Sequence, residues 1–258
     1  MSDFYDTLGF DAQVTISSGY YGSFDHSRRL RLSLKKAILE CNKNPVIAEI
    51  KIASPSLGTI CENNDLTEIA QAMESGGAVA ISVVTEPRHF KGSINTLSDV
   101  RRAVKLPLLM KDIILSKTQV YAAANIGADA VLLIITLYDR GYGEIALDSM
   151  IDYIHANGLE VLLEVHTQEE FKAAKKTKAD LIGINNRNLA DLKIALGNTE
   201  KILKANNFDD LIVVSESGIN TSADLQFLRQ LGASAFLVGS SIILSENIEE
   251  KVRELVNA

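Results

Sequence analysis

The side chains able to do chemistry in this 258-residue chain recur at one kind of place, the polar end of a short apolar run. Residues 46–51 end in Glu49 and Lys51, two positions apart and so on one face of an extended segment, with Ile50 opposite. Residues 106–111 end in Lys111, and residues 160–166 end in Glu164 and His166 on a common face. Residues 181–185 end in Asn185 with Arg187 just beyond, and residues 211–216 end in Glu216, followed by Ser217. Any one of these fits a solvated strand end or a simple ion pair. Their convergence is the signal: two lysines and two glutamates in a partly dry cavity are pushed apart in pKa, leaving some as acids and others as bases near neutral pH. That is the equipment of general acid/base catalysis.

Two further segments, Ser217-Gly218-Ile219-Asn220-Thr221 and Gly239-Ser240-Ser241, place small residues just before a helix start. Such turns expose backbone N–H groups, and two together read as a phosphate cradle to which Lys51 adds a positive charge. Gly141-Tyr142-Gly143 only loosely fits a dinucleotide fingerprint, because Leu137-Tyr138-Asp139-Arg140 separates it from the preceding strand. His26, His89, His155 and His166 have no metal-ligand spacing with each other or with Cys41 and Cys61. Neither a metal nor a cofactor is expected.

Something must position these groups. The apolar runs 46–51, 79–84, 106–111, 130–136, 160–166, 181–185, 211–216 and 235–239 are eight, and several are near-continuous Val, Ile, Leu and Ala, as parallel strands covered on both faces require. Stretches of helical period lie between them, such as Leu66, Ile69, Ala70 and Met73. A junction recurs as Gly77-Ala78, Gly127-Ala128, Lys178-Ala179 and Gly232-Ala233, each read as a left-handed helix cap followed by a small residue that packs on the sheet. Eight strands alternating with helices predict a (β/α)8 TIM barrel, in which chemistry collects at the C-terminal strand ends. An open doubly wound sheet is the alternative, but no composition break marks a second domain, so residues 1–258 are expected to form one barrel domain. Residues 1–45 precede it. Leu30, Leu34, Ala37, Ile38 and Cys41 predict an extra amphipathic helix over 28–42, and Phe4, Tyr5, Phe10, Tyr20, Tyr21 and Phe24 predict a segment lying against the barrel or lining its mouth.

Composition narrows the partners. With 47% hydrophobic residues, 23% charged residues and a net charge of -7, the chain reads as a soluble globular protein. It lacks the broad basic surface of a nucleic-acid binder. No apolar run approaches the roughly 18 residues of a membrane span, the start MSDFYDTLGF lacks the features of a signal peptide, and two cysteines fit a reducing cytoplasm. The expected ligand is a small phosphorylated molecule, with no nucleic acid and no membrane as partner; a monomer is the expectation drawn from barrel enzymes of this type, not from composition.

Six segments taken together resemble one family. Ala48-Glu49-Ile50-Lys51 running into Ser54-Pro55-Ser56-Leu57-Gly58, then Leu106-Pro107-Leu108-Leu109-Met110-Lys111-Asp112, Glu164-Val165-His166-Thr167, Gly183-Ile184-Asn185-Asn186-Arg187-Asn188-Leu189, Ser215-Glu216-Ser217-Gly218-Ile219 and Gly239-Ser240-Ser241 are similar, in order, to the indole-3-glycerol-phosphate synthases of tryptophan biosynthesis. The resemblance implies ring closure of 1-(2-carboxyphenylamino)-1-deoxyribulose 5-phosphate with loss of CO2 and water, a carboxy-lyase reaction needing no cofactor. It implies Lys111 as general acid, Glu164 as acid or base in the dehydration, Glu49 in proton handling, Lys51 on the phosphate with a share in acid catalysis, and Asn185 on a reacting hydroxyl. It also implies Arg187 holding the site, Glu216 and Ser217 at the anthranilate end, Gly218, Gly239 and Ser240 around the phosphate, Ser54 and Ser56 on a loop, and Phe90 against the aromatic ring. Ile52, Leu57 and Ile113 depart from the family's usual basic, polar or aromatic residues. On the residues alone, a Schiff-base aldolase using Lys111 and a non-catalytic phosphate-binding barrel stay open.

Overall fold

The computed structural model describes residues 3–22, 30–54, 58–61, 65–188, 192–208 and 210–258. Two helices come first, α1 (Phe4–Ser17) and α2 (Leu34–Leu39), then β1 (Val46–Ile50) and a small hairpin of β2 (Ala53–Ser54) and β3 (Gly58–Thr59). Strands and helices then alternate: α3 (Leu66–Ser75), β4 (Ala80–Val84), α4 (Ile94–Ala103), β5 (Leu108–Lys111), α5 (Lys117–Ile126), β6 (Ala130–Ile134), α6 (Ile135–Asp139), α7 (Leu147–Ala156) and β7 (Glu160–Val165). The chain ends with α8 (Gln168–Ala174), β8 (Leu181–Asn185), α9 (Gly197–Lys204), β9 (Val213–Glu216), α10 (Ser222–Gln230), β10 (Ala235–Val238), α11 (Ser240–Ile243) and α12 (Ile248–Val256). Eight strands close into a barrel in the order β1-β10-β9-β8-β7-β6-β5-β4, each parallel to its neighbours. The expected (β/α)8 TIM barrel is the fold, and each apolar run contains one of its strands.

Alternation along the strands sorts the core into two sets. Val46, Ala48, Ile81, Val83, Leu108, Met110, Leu133 and Leu163 pack outward with helix residues such as Leu97, Met150 and Phe171. Ile47, Ala80, Leu109, Leu132, Leu162, Leu181, Val214 and Leu237 pack inward, together. Ile47, Leu109, Leu162 and Val214 come from alternate strands, the arrangement by which such barrels fill their interior in layers of four. Two residues further along, the same four strands turn Glu49, Lys111, Glu164 and Glu216 inward. A charged layer therefore sits on an apolar one. Glycines on the intervening strands give it room: a Cβ at Gly183 in β8 would collide with the Glu216 carboxylate, and one at Gly239, just past β10, would lie 2.8 Å from Glu49 Oε1 and 3.1 Å from Lys51 Nζ.

The leading segment differs from the reading of one helix over 28–42. Of the described residues 30–42 only 34–39 are helical, N-capped by the Ser33 hydroxyl. Leu30 is 92% exposed rather than on a buried face, because the backbone before Ser33 is tied to other partners. Leu32 N donates to Asp129 Oδ1 at 2.8 Å, and the Arg31 guanidinium donates to the carbonyls of Ala124 and Ala128 at the end of α5. Leu34 and Ile38 of α2 join the inward-facing set at the strand-start end, where Lys35 N meets Glu160 Oε2 at 2.9 Å. At the opposite end α1 brings Tyr5, Leu8 and Ala12 into the same set. Arg140 after α6 holds Asp3 and Asp6, while Arg88 and His89 after β4 hold Asp11. The aromatics expected against the barrel are there in Phe4, Tyr5, Tyr20 and Tyr21; Phe10 is exposed, and Phe24 lies outside the described residues.

The helix-to-strand junction is left-handed at Gly77, Gly127 and Gly232, with φ of 96°, 100° and 101°. The third copy departs from the expectation. Lys178 is not left-handed, because α8 ends early at Ala174 and the Thr177 hydroxyl, donating to Ala174 O and accepting from Ala179 N, makes the turn instead.

One buried group ties the leading segment to the barrel. Tyr21 Oη donates to Asp112 Oδ2 at 2.9 Å, Thr85 Oγ1 donates to the same oxygen at 2.6 Å, and Ile113 N donates to Oδ1 at 2.7 Å. Burial nevertheless pushes the Asp112 carboxyl up to about 6 from 3.8. Well below 3.8 this carboxyl is protonated whether the chain is folded or not, and the stabilisation is complete. As pH rises from 3.8 to 6 the unfolded chain has lost the proton that the folded one still holds, so unfolding releases a proton and that stability is lost by the time pH passes 6. Urea unfolding of wild type and Asp112→Asn across pH 4 to 7 should show wild type losing up to about 3 kcal/mol relative to the variant; a pH-independent difference would exclude burial as the cause. For the charged layer, Gly183→Ala should cost about 1–3 kcal/mol through the clash with Glu216. Gly197→Ala, which meets open space, should be near neutral in the same denaturation experiment.

Candidate active site

The barrel mouth holds two adjoining cavities. The first, of about 740 Å3, lies beneath α1, with Phe4, Leu8, Phe90, Ile113, Leu132 and Ile134 forming an apolar wall. Lys111, Glu164, Asn185 and Ser54 face it from strand ends. The second, a trough of about 1340 Å3, is lined by Ser217, Gly218, Ile219, Asn220, Gly239, Ser240 and Ser241. Glu49, Lys51, Lys111, Arg187 and Ser217 border both. An apolar chamber and a small-residue trough thus meet at a line of charges.

Glu49 organises that line. Its Oε1 is 3.0 Å from Lys51 Nζ and its Oε2 is 3.8 Å from Lys111 Nζ. Burial alone would push the Glu49 carboxyl up, but Lys51, Lys111 and Arg187 more than offset it and hold it below the usual carboxylate range. Burial acts on Lys111 in the opposite sense to its neighbours. Glu49, Glu164 and Glu216 outweigh it, so the ammonium titrates above the ordinary lysine range and stays charged at neutral pH. Glu216 goes the other way. Burial, with the Glu164 carboxylate beside it, pushes it well above the usual carboxylate range. Among these groups Glu216 is displaced upward, Glu49 downward and Lys111 upward.

Local sequence explains why these side chains point where they do. Lys51 continues the alternation of β1 past its last residue. Asn185 ends β8, where its Oδ1 accepts from Arg187 N at 2.9 Å and turns the chain sharply. Asn186, on the opposite face, staples β8 to β9 by donating to Ser215 Oγ and Ser217 O while accepting from Thr199. Ser217 and Gly218 both have positive φ, 66° and 84°, and a Cβ at Gly218 would lie 2.5 Å from Ile194, so the trough turn needs glycine there. Gly239 caps α11 and Ser240 opens it, where first-turn N–H groups have no intrahelical partner.

Of the residues singled out in the sequence, Glu49, Lys51, Ser54, Phe90, Lys111, Glu164, Asn185, Arg187, Glu216, Ser217, Gly218, Gly239 and Ser240 line one or both cavities. Ser56 lies outside the described residues. Glu216 opens onto the trough and not onto the apolar chamber. His166, though on the face of Glu164, lines a third cavity behind it.

Sequence reasoning passed over Glu86, whose buried carboxylate accepts from Arg88 N, His89 N and Phe90 N at 2.8, 2.7 and 3.0 Å and so fixes the turn presenting Phe90. A carboxylate two residues past a strand end was the available signal. It also gave no role to Asp112, adjacent to Lys111, or to Leu8, which joins the expected mouth aromatic Phe4 over the chamber.

Comparison with known proteins is consistent with this geometry. The family model for indole-3-glycerol phosphate synthase matches residues 17–255. Relatives named indole-3-glycerol phosphate synthase include one from Methanocaldococcus jannaschii, 44% identical over 90% of this chain and 86% of that protein, and one from Pyrococcus furiosus, 40% identical over 87% and 97%. Another, from Desulforamulus reducens, is 41% identical over 87% and 83%. Among solved structures, a thiamine phosphate pyrophosphorylase from Pyrococcus furiosus superposes with a TM-score of 0.61 at 17% identity, covering 86% of this chain and 96% of that one, a likeness of fold. A barrel whose strand ends carry this set of residues, matched along nearly its whole length, belongs to the indole-3-glycerol phosphate synthase family.

Proposed function

We propose that the protein closes the pyrrole ring of indole-3-glycerol phosphate from 1-(2-carboxyphenylamino)-1-deoxyribulose 5-phosphate, acting as a carboxy-lyase. The observation that carries this reading is a charged Lys111 ammonium on the border between an apolar chamber and a trough of small residues. The chamber suits an aromatic ring, with Phe90 and Leu132 on its walls. The trough suits a phosphate, with Gly218, Gly239 and Ser240 offering backbone N–H groups and Lys51 a positive charge. Holding both ends fixes the ketone between them and supplies the proximity that ring closure needs.

In the first step the ring carbon bearing the carboxylate attacks the ketone carbon, and Lys111 gives its proton to the ketone oxygen. Loss of CO2 then returns the bonding electrons to the ring and restores aromaticity. In the dehydration Glu164 acts as acid or base, Glu49 shares in the proton handling and Asn185 orients the departing hydroxyl. Lys51 assists at the phosphate end, Arg187 holds the loop after β8, and Glu216 and Ser217 shape the wall between the two cavities. A carboxylate enters and neutral CO2 leaves, so each turnover consumes one proton from solvent.

A Schiff-base aldolase would need Lys111 as a free amine, the form that its carboxylate neighbours disfavour. Purified protein given the carboxyphenylamino-deoxyribulose phosphate should develop indole fluorescence, and borohydride added during turnover should leave Lys111 unmodified. Lys111→Ala should lower kcat by about 10^2–10^4-fold with substrate Kd changed only a few-fold. Near-normal turnover in that variant would remove Lys111 from the acid's role, and a borohydride adduct on Lys111 would favour the aldolase.

A further inference from the structure

We propose that His166 is the relay that brings the consumed proton into the charged layer, passing it to Glu164 from a side cavity that the substrate does not fill. The proposal rests on the ring-closure reading, from which the one-proton deficit follows. Lys111 loses a proton to the ketone oxygen, while elimination places one proton on the departing hydroxyl and takes one from carbon. The site ends each cycle one proton short. With the aromatic end in the chamber beneath α1 and the phosphate in the trough, the substrate itself stands between bulk water and the layer.

His166 is the side chain placed to bypass it. Its side chain is 8% exposed, and among the described residues neither ring nitrogen has a hydrogen-bond partner. Nε2 lies 3.3 Å from Glu164 Oε1, an oxygen that likewise has no hydrogen bond. Nδ1 is 4.0 Å from Glu170 Oε2. The ring stands edge-on to Tyr5 of α1, with centroids 5.5 Å apart and planes at 89°. It lines a cavity of about 940 Å3 between the ends of β6, β7 and β8, walled also by Thr136, Asn185 and Asn198. The charged and titratable groups facing this ring from the elements around it are Glu164 on its own strand, Glu170 of α8, Tyr5 of α1, Arg140 after α6 and Lys193 after β8. Glu170 is occupied as the capping-box acid of α8, accepting from His166 N and Thr167 N. Glu164 is therefore the carboxylate on which the imidazole acts.

The transfer balances. The Nε2–H bond of the imidazolium breaks as an O–H bond forms on Glu164, and the charged layer, one proton richer, reprotonates the Lys111 amine that stands 3.8 Å from Glu49 Oε2. The imidazole then regains a proton at Nδ1 from water or a buffer acid in the side cavity. His166 acts through Glu164 and does not touch the substrate.

The test separates one turnover from many, with indole fluorescence as readout. In His166→Gln the first turnover draws on protons already loaded. Ring closure with enzyme in excess should run within about twofold of wild type, while steady-state kcat falls at least about tenfold with KM little changed. Multiple-turnover traces should then show a burst equal to the enzyme concentration, and added imidazole buffer should restore the slow phase. Single-turnover and steady-state rates falling together, neither falling, or a slow phase indifferent to buffer would each overturn the relay. Should His166→Gln fail to fold, Glu170→Gln keeps carbonyl acceptors for the cap and removes the charge facing Nδ1. It should slow the steady state on the alkaline side of the pH profile and spare the single turnover; an unchanged profile counts against the relay. A wild-type protein without turnover overturns the ring-closure reading and the relay with it, whereas a failure confined to the variants overturns the relay alone.

Discussion

The structure depends on burying four ionisable side chains in one layer of a closed barrel. Taking a charge out of water costs several kcal/mol unless partners compensate it. Glu49 meets that constraint by standing between Lys51 and Lys111, and Glu216, beside Glu164, meets it through a carboxyl pushed well above its ordinary range, a shift toward the neutral form. Remove either solution and the layer holds an uncompensated carboxylate. Glycine at 183 and 239 follows from the same demand, since side chains on the intervening strands would occupy the space the carboxylates need.

The leading segment answers a second demand, that a barrel with a polar interior end must still exclude water where chemistry happens. Its two helices sit at opposite ends. α2 joins the apolar core at the strand starts with Leu34 and Ile38, and α1 roofs the mouth with Phe4 and Leu8. The roof is held at both sides through ion pairs of Arg140 with Asp3 and Asp6, and of Arg88 and His89 with Asp11. These pairs are partly exposed, and such pairs contribute modestly. The roof is thus joined to the barrel more weakly than the strands are to one another, as suits a part that must admit a ligand.

Charge is distributed against the average. The whole chain carries -7, yet the line between chamber and trough presents Lys51, Lys111 and Arg187. At the barrel mouth an anionic ligand would meet cations along that line. The carboxylates among them keep Lys111 charged until a ligand arrives, and a net uptake of one proton per cycle makes the path back to that layer as much a part of the chemistry as the acid itself.

Much of this was legible in the chain. Strand and helix periods are local, so the eight runs, their inward-facing residues and the polar groups at their ends could be read directly, and with them the barrel; Ser54 and Phe90 were reached only through the family resemblance. What lay beyond reach depended on contacts between distant segments. Residues 28–33 carry helical spacing, but Arg31 and Leu32 are held by Ala124, Ala128 and Asp129, and the helix starts only after Ser33. Lys178 sits in a repeat of glycines, yet Thr177 makes that turn. The upward shift of the Glu216 carboxyl and the placement of His166 behind Glu164 arise only when β7, β8 and β9 come side by side and exclude water. Sequence determined which groups each strand would present, because alternation is a property of a single strand. Closure of the barrel decided their charge states and their access to solvent, because burial and proximity belong to several strands at once.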